Sequence, residues 1–318
     1  MSLPPPSQHG DIWVAFLSIL LEGIPFILIG SLVSGLIDAF LPARVMDRLL
    51  PKRGLPAILA SGLLGIIFPV CECAIVPVIR RLVQKGLPLG CAMTYMLAAP
   101  IVNPIVALST YSAFQGRDPA MMTSARLILG YGIAVLAGIV LSKFGASRLL
   151  QPRVLAGISS PESPAASDSH QSPGDGIVRA LRTAQQDFMD TVLYFVIGVG
   201  IASVAQTQIF YREGLQASIQ NIAANHWLAA PVLMLAAFIL SLCSTTDAFI
   251  IAADSLFTAS AKLAFLVFGP MLDMKLIFLY STVLKPKVIF WLALGLFLAV
   301  YLATMAIEPA LTTPMPRP

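Results

Sequence analysis

Three cysteines stand where long apolar runs of the sequence are interrupted. Cys71 and Cys73 flank Glu72 in FPVCECAIVP, and Cys243 lies in LCSTTDAFIIA. Thiol sulfur is a soft ligand that suits soft, thiophilic ions and metalloids, whereas hard ions such as Mg²⁺ prefer oxygen. The three cysteines therefore predict a binding site for a small thiophilic solute. The fourth cysteine, Cys91, stands alone in an apolar run, and we interpret it as a small buried apolar residue.

Acidic residues also occur within apolar runs, where a charge is costly and therefore indicates function. Glu72, Asp247 and Asp273 are the candidates, and we expect them to exchange protons. Lys275 follows Asp273 by two residues. Because helical residues at this spacing do not face each other, we expect Asp273 and Lys275 not to be paired.

Prolines predict breaks in the backbone of two apolar runs. Pro100 and Pro104 flank Asn103 in AAPIVNP, and FPVCEC holds a further break between Pro69 and Cys73. Proline removes an amide donor, and non-helical backbone at membrane depth is tolerated only where protein buries it or water lines it. We expect Pro100, Asn103 and Pro104 to line a solute site near the middle of the membrane.

The composition predicts an all-α polytopic membrane protein in contact with the lipid bilayer. Apolar residues make up 57% of the chain and charged residues 11%, against about 25% charged in globular proteins. These proportions exclude a soluble enzyme or a disordered chain, and a net charge of +4 is too small for a nucleic-acid-binding face. The chain contains eight apolar segments: Ile12–Ile37, Leu55–Val83, Leu87–Phe114, Pro119–Ser142, Phe188–Ala205, Trp227–Phe257, Ala261–Leu284 and Val288–Ala306.

No motif for a cofactor, a resident metal or a nucleotide is found in the sequence. All three histidines lie outside the apolar runs, so an imidazole metal site within the membrane is not expected. A GxxxxGKS/T phosphate-binding loop is absent from the sequence. We therefore expect a protein that is not an enzyme and that draws on an ion gradient or on a separate partner.

The chain divides into two related halves, residues 1–150 and 186–318, joined by a linker at residues 151–185. Residues 157–176 are rich in Ser, Pro and Asp, which predicts flexibility. A shift of 170 positions aligns Cys73 with Cys243, Pro100 with Pro270 and Asn103 with Asp273. A shift of 168 aligns Glu22 with Asp190 and Gly30 with Gly198, and we interpret the acidic pair as packing residues.

The basic residues predict the orientation, because Lys and Arg near span ends stay on the cytoplasmic side. If all eight segments cross, the two sides hold eight and ten basic residues; a re-entrant second segment gives fourteen inside and four outside. The linker then lies in the cytoplasm. The count is the same whether Trp227–Phe257 spans or re-enters. If it re-enters like its counterpart, the halves form an inverted repeat, with broken or re-entrant helices meeting at mid-membrane.

The run FPVCECAIVPVIRRLVQKGLPLGCAMTYMLAAPIVNPIVALSTY resembles the predicted-permease family that includes YraQ and the ArsP organoarsenical efflux permeases. LCSTTDAFIIA and FGPMLDMK in the second half are also similar to that family. The resemblance implies an integral inner-membrane permease, in some members exporting trivalent arsenicals through cysteine thiols. It implies roles for Cys71, Cys73, Pro100, Asn103 and Pro104 but leaves the solute open, since Glu72 also suits a cationic ligand.

The leading hypothesis is a secondary permease, an efflux transporter in which Cys71, Cys73 and Cys243 bind a thiophilic solute such as an arsenical or a soft metal. The alternative is a membrane thiol-disulfide oxidoreductase that cycles a disulfide between Cys71 and Cys73. The sequence leaves open the direction of transport, the coupling ion and whether the chain forms a homo-oligomer.

Overall fold

A computed structural model describes residues 8–40, 54–68, 70–116, 118–159, 173–210 and 225–312. Within these ranges the chain is helical and has no strand beyond an isolated antiparallel bridge between Leu150 and Leu284. Among the described residues, five helical regions are long and apolar enough to cross a membrane, and three shorter helices are also apolar. The prediction of an all-α polytopic membrane protein is confirmed.

The helices follow one another in two series. The first series in the described residues is α1 (Gln8–Phe40), α2 (Leu55–Ile67), α3 (Glu72–Gln84), α4 (Leu89–Ala98), α5 (Pro104–Ala113), α6 (Pro119–Ser142), α7 (Ala146–Leu149) and α8 (Pro152–Ser159). The second is α9 (Pro173–Phe210), α10 (His226–Leu240), α11 (Thr246–Ala253), α12 (Ala259–Met271), α13 (Met274–Tyr280) and α14 (Pro286–Thr312).

Four of the eight apolar segments are interrupted in mid-course. The breaks separate α2 from α3, α4 from α5, α10 from α11 and α12 from α13. The first two are the predicted ones, although Pro69 lies outside the described residues and Pro77 lies inside α3. The break before α13 was not predicted, because Pro270 stays within α12 and the chain leaves the helix only at Leu272 and Asp273.

Each half has the same order of elements: a long helix, two broken segments and a second long helix. This order agrees with the aligned positions in the sequence. The inverted relation between the halves and the re-entrant course of Leu55–Val83 and Trp227–Phe257 stay predictions.

The predicted linker at residues 151–185 is helical where the structure describes it. Helix α8 lies within its first part, and α9 begins at Pro173, well before the expected start of the second half at residue 186. Val154, Ala180 and Ala184 are buried, so these parts pack against the rest of the protein. Residues 160–172 lie outside the described residues. The division at 150 and 186 stays a prediction.

The two long helices α1 and α9 pack along each other, and each packs closely against a short helix: α1 against α3, and α9 against α13. A Cβ atom added to Gly30 of α1 would lie 2.6 Å from Ala74 O of α3. A Cβ atom added to Gly198 of α9 would lie 3.0 Å from the Cα of Lys275, in α13. Small residues permit such close backbone approach in membrane helices. These contacts fix the positions of α3 and α13, which carry the site described below.

A buried carboxylate also ties α9 to α1 and α3. Asp187 is 2% exposed and accepts two hydrogen bonds from Arg81, at 2.9 and 3.0 Å, and one from Ser34 at 2.6 Å. Asp190, one turn further along α9, pairs with Arg80 at 3.0 Å and is 51% exposed. The repeat in the sequence indicates Asp190 but not Asp187, because only the packing of α3 on α9 distinguishes the two residues.

Candidate functional site

A small cavity lies between the start of α3, the break between α10 and α11, and Lys275 of α13. Its volume is about 10 Å³, near the lower limit for one water molecule. Its polar lining residues are Glu22, Cys71, Glu72, Cys73, Cys243 and Lys275. Its remaining walls are Ile19, Gly23, Phe26 and Phe195. Two segments distant in sequence therefore bring all three predicted thiols to one space.

The cysteines reach the cavity from non-helical or terminal positions. Cys71 is the N-cap of α3 with extended backbone (φ −74°, ψ 169°), and Cys73 lies in the first turn of the helix. Cys243 lies in the break after α10, with Sγ 3.5 Å from Thr245 Oγ1. All three are free thiols; Cys71 and Cys243 are half-buried and Cys73 is buried. Cys91 is buried in α4 and is not among the cavity-lining residues.

Glu72 forms the link between the two halves at this cavity. Its carboxylate is 1% exposed, accepts a hydrogen bond from Ser244 Oγ at 3.1 Å and lies 3.4 Å from Lys275 Nζ. Both partners belong to the second half of the chain. A carboxylate buried to this degree in a membrane requires such partners, because its charge would otherwise be uncompensated.

The expectation that Asp273 and Lys275 are not paired is wrong. Asp273 Oδ2 lies 3.3 Å from Lys275 Nζ. The helical spacing argument fails because Asp273 is not in a helix; it is the N-cap of α13 with extended backbone (φ −135°, ψ 178°), and its Oδ1 accepts from Leu276 N at 2.7 Å. The extended residue turns its side chain toward the first turn of α13, where Lys275 lies.

A second buried ion pair, Arg126 with Asp247, was not predicted from the sequence. Arg126 Nη2 lies 2.8 Å from Asp247 Oδ2 and donates to Ser244 O at 2.9 Å. Nη1 donates to Thr110 Oγ1 at 2.7 Å. The presence of a single arginine within an otherwise uncharged span was the available signal. Ser244 contacts both Arg126 and Glu72, so it connects this pair to the cavity.

The predicted residues around the second break lie away from the cavity, and their solute role stays a prediction. Asn103 is the N-cap of α5, and its Oδ1 accepts from Ile105 N at 2.9 Å. Pro104 is the first residue of that helix, a position where its missing donor costs nothing. Asn103 and Pro100 are buried. None of these three residues is among those that line the cavity.

Four of the nine predicted site residues therefore share the cavity: Cys71, Glu72, Cys73 and Cys243. Asp273 does not line the cavity but pairs with Lys275, which does. Asp247 pairs with Arg126, which reaches the cavity through Ser244 and Glu72. In the described part of the chain, no group of three or more His, Cys, Asp or Glu side chains is close enough together to hold a metal ion. The three thiols line one cavity.

These features define a class of protein. Broken helices whose ends meet around a cavity with charged and thiol groups, within a bundle of membrane-length helices, are typical of membrane transporters. Residues 9–309 match the model of the ArsP_1 family, described as predicted permease. The chain therefore belongs to this predicted permease family, and the resemblance seen in the sequence is confirmed.

Two relatives cover most of the chain. It is 37% identical over 284 residues to the UPF0718 protein YcgR of Bacillus subtilis, a match that covers 87% of this chain and 90% of the relative. It is 34% identical over 287 residues to a protein of Streptococcus mutans named putative two-component membrane permease complex subunit, covering 89% and 90%. No solved structure matches the chain.

Proposed function

We propose that this protein is a secondary permease that exports a small thiophilic solute, such as a trivalent arsenical or a soft metal ion. One observation carries the proposal: Cys71, Cys73 and Cys243 line a single cavity together with Glu72. Soft sulfur donors suit thiophilic solutes, and the adjacent carboxylate suits a solute with positive charge. Family membership makes transport the expected activity.

The size of the cavity indicates how binding would proceed. Its volume of about 10 Å³ admits one water molecule, so any larger solute requires the walls to separate. Cys71 and Cys73 lie on α3, whereas Cys243 lies on the break after α10. Movement of these two segments relative to each other would open the cavity and carry the thiols apart, so a solute bound by all of them is released as they separate.

Coupling to an ion gradient would use the buried carboxyl groups. Glu72 and Asp273 both contact Lys275, and Asp247 contacts Arg126, so each carboxyl group lies beside a buried basic side chain. A change in helix packing that withdraws the cation would favour uptake of a proton. We assign proton exchange to these three carboxyl groups within the proposed cycle.

The location and partners follow the same proposal. We place the chain in the inner membrane with residues 151–185 in the cytoplasm, as the basic residues predict. The Streptococcus mutans relative is named as a subunit of a two-component complex. We therefore expect this chain to assemble either with a second, different subunit or with further copies of itself. Crosslinking in membranes followed by mass spectrometry distinguishes the two.

The test replaces Cys73 and Cys243 with serine, singly and together, with Cys91→Ser as the matched control. Cells that lack or overproduce the chain are grown with arsenicals, antimonials and heavy metals, and efflux is measured for each solute that changes growth. We expect the double variant to lose transport by about ten-fold or more and Cys91→Ser to keep it. Unchanged transport of every soft solute would reject the thiol role.

Family membership favours this permease over a thiol-disulfide oxidoreductase. The latter requires a disulfide between Cys71 and Cys73, whose thiols are free in the structure. Solute flux through a fully reduced sample would reject the redox alternative, whereas flux that appears only when this disulfide cycles would favour it.

A further inference from the structure

The ammonium of Lys275 is surrounded by four oxygen atoms from separate parts of the chain. Ser241 O and Leu242 O, which follow α10, lie 2.9 and 3.2 Å from Nζ. Glu72 Oε1 lies 3.4 Å away and Asp273 Oδ2 lies 3.3 Å away. We call these four oxygen atoms the Lys275 cage.

The cage consists of the ligands that hard cations prefer. Carboxylate and backbone carbonyl oxygens bind such ions, and in transporters the C-terminal ends of broken helices hold the coupling cation. Ser241 ends α10 with a left-handed backbone (φ 47°, ψ 43°), and the carbonyls of Ser241 and Leu242 then accept from Nζ instead of continuing the helix. The four oxygen atoms of the cage are therefore of the types that bind metal cations, and the group they surround in the structure is the Lys275 ammonium.

The ammonium does not satisfy all four oxygens. Lysine has three N–H donors, and these are directed to Ser241 O, Leu242 O and Glu72 Oε1. Asp273 is 1% exposed, and its Oδ2 accepts no hydrogen bond from the described residues although Nζ is near. A spherical cation has no limit of three directions, so it would contact this oxygen as well as the others.

The charges require that the cage holds a cation whenever both of its carboxyl groups are ionised. Glu72 and Asp273 contribute two negative charges and Lys275 one positive charge, all at 3% side-chain exposure or less. If the ammonium left and nothing replaced it, two buried carboxylates would remain uncompensated, at a high cost in free energy. Because Glu72 and Lys275 also line the cavity, an ion that enters the cavity reaches the cage directly.

We propose that the Lys275 cage is a binding site for a monovalent cation, with the Lys275 ammonium as its resident occupant, and that an ion such as K⁺ or Na⁺ takes the place of the ammonium. The inference rests on the proposed function, since it gives a gradient-driven permease the site for its coupling ion. The experiment below measures ion binding without any transported solute. Its result is therefore independent of the cysteine experiment, and either of the two proposals can be rejected while the other stands.

The test measures the midpoint of thermal unfolding, Tm, of the purified full-length protein in detergent. KCl or NaCl replaces choline chloride at constant ionic strength. Lys275→Ala removes the ammonium and keeps all four oxygens, so we expect a saturable rise in Tm of about 5 °C. In the wild type the ammonium competes, and we expect a smaller rise with half-saturation at an ion concentration about ten-fold higher or more.

Two further variants separate the cage from general salt effects. Lys287→Ala removes an exposed lysine outside the cage and should follow the wild type. Lys275→Ala combined with Glu72→Gln removes one of the two carboxylates and should lose most of the ion-dependent rise. An equal rise in this double variant would overturn the proposal, because the ion would then bind elsewhere.

The proposal is also overturned if folded Lys275→Ala shows no rise in Tm with either K⁺ or Na⁺. Should that variant not fold, Lys275→Met, which retains the apolar side-chain length, takes its place. The wild type provides an independent measurement that needs no substitution. Absence of a saturable rise in the wild type with both salts, up to about 1 M, would overturn the proposal as well.

Discussion

Arg126 Nη2 lies 2.8 Å from Asp247 Oδ2, and the two residues belong to different halves of the chain. Their side chains are 1% and 4% exposed. Arg126 also donates to Ser244 O, and Ser244 Oγ donates to Glu72. A continuous polar network thus connects α6 and α11 to the thiol-lined cavity, and relative movement of the halves must rearrange it.

Replacing Arg126 with leucine should lower the free energy of unfolding by about 3–5 kcal/mol, because Asp247 is left as a buried, uncompensated charge. Adding Asp247→Leu to that variant should recover much of the loss, since no charge then remains. Thermal unfolding of the purified variants in detergent measures both effects. The matched control is Asp190→Asn, whose exposed pair with Arg80 contributes about 1 kcal/mol or less. A single Arg126→Leu variant as stable as this control would contradict the role of the pair.

Gly23→Ala should destabilise the contact between α1 and α9 beside the cavity. A Cβ atom at Gly23 would overlap with the ring of Phe195, which is fully buried and cannot move aside freely. We expect a loss of about 1–3 kcal/mol in the free energy of unfolding, and its recovery when Phe195→Leu makes room. Gly132→Ala is the control, because no heavy atom lies within 4 Å of the added Cβ. Equal stability of the Gly23 and Gly132 variants would show that this contact is looser than described.

Asn103 was predicted to bind solute, and the structure shows it capping α5, so the two roles make different predictions. Asn103→Ala should cost about 1 kcal/mol in stability, while Asn103→Ser, a neutral residue that also caps helices, should keep most of that stability. Comparison of transport by the two variants at equal amounts of folded protein then tests the solute role. If Asn103 acts only as a cap, both variants transport normally; loss of transport by the well-folded Ser variant would support the binding role.

The cysteines should differ in their reaction with a small, water-soluble thiol reagent. Cys71 and Cys243 are half-buried and line the cavity, whereas Cys91 is 1% exposed and lies in α4. Because modification requires access, we expect Cys71 and Cys243 to be labelled roughly ten-fold faster than Cys91. Mass spectrometry of peptides after timed labelling gives the rates. Labelling of Cys71 and Cys243 as slow as that of Cys91 would contradict the prediction and place the cavity out of reach of water.

Several features of the fold follow from local sequence. The lengths and composition of the apolar segments require membrane helices. The breaks at FPVCEC and AAPIVNP coincide with prolines in the sequence, and at the second break Asn103 caps the new helix. These are properties of residues within a few positions of each other. Soft sulfur and buried carboxylates in such breaks likewise indicated a site before any packing was known.

Partners across the chain could not be deduced in this way. Lys275 contacts Glu72 across 203 residues, and Arg126 contacts Asp247 across 121. Apolar side chains are so abundant in this chain that many helix faces resemble one another. The apolar pattern therefore does not specify which helices pack together. Even the pairing of Asp273 with Lys275 was missed, because it depends on where α12 ends. Sequence alone determined that this is a membrane protein and which reactive residue types it carries. Tertiary structure decided which of those residues share one cavity, because only the packing of the helices determines which oppositely charged group lies beside each buried charge.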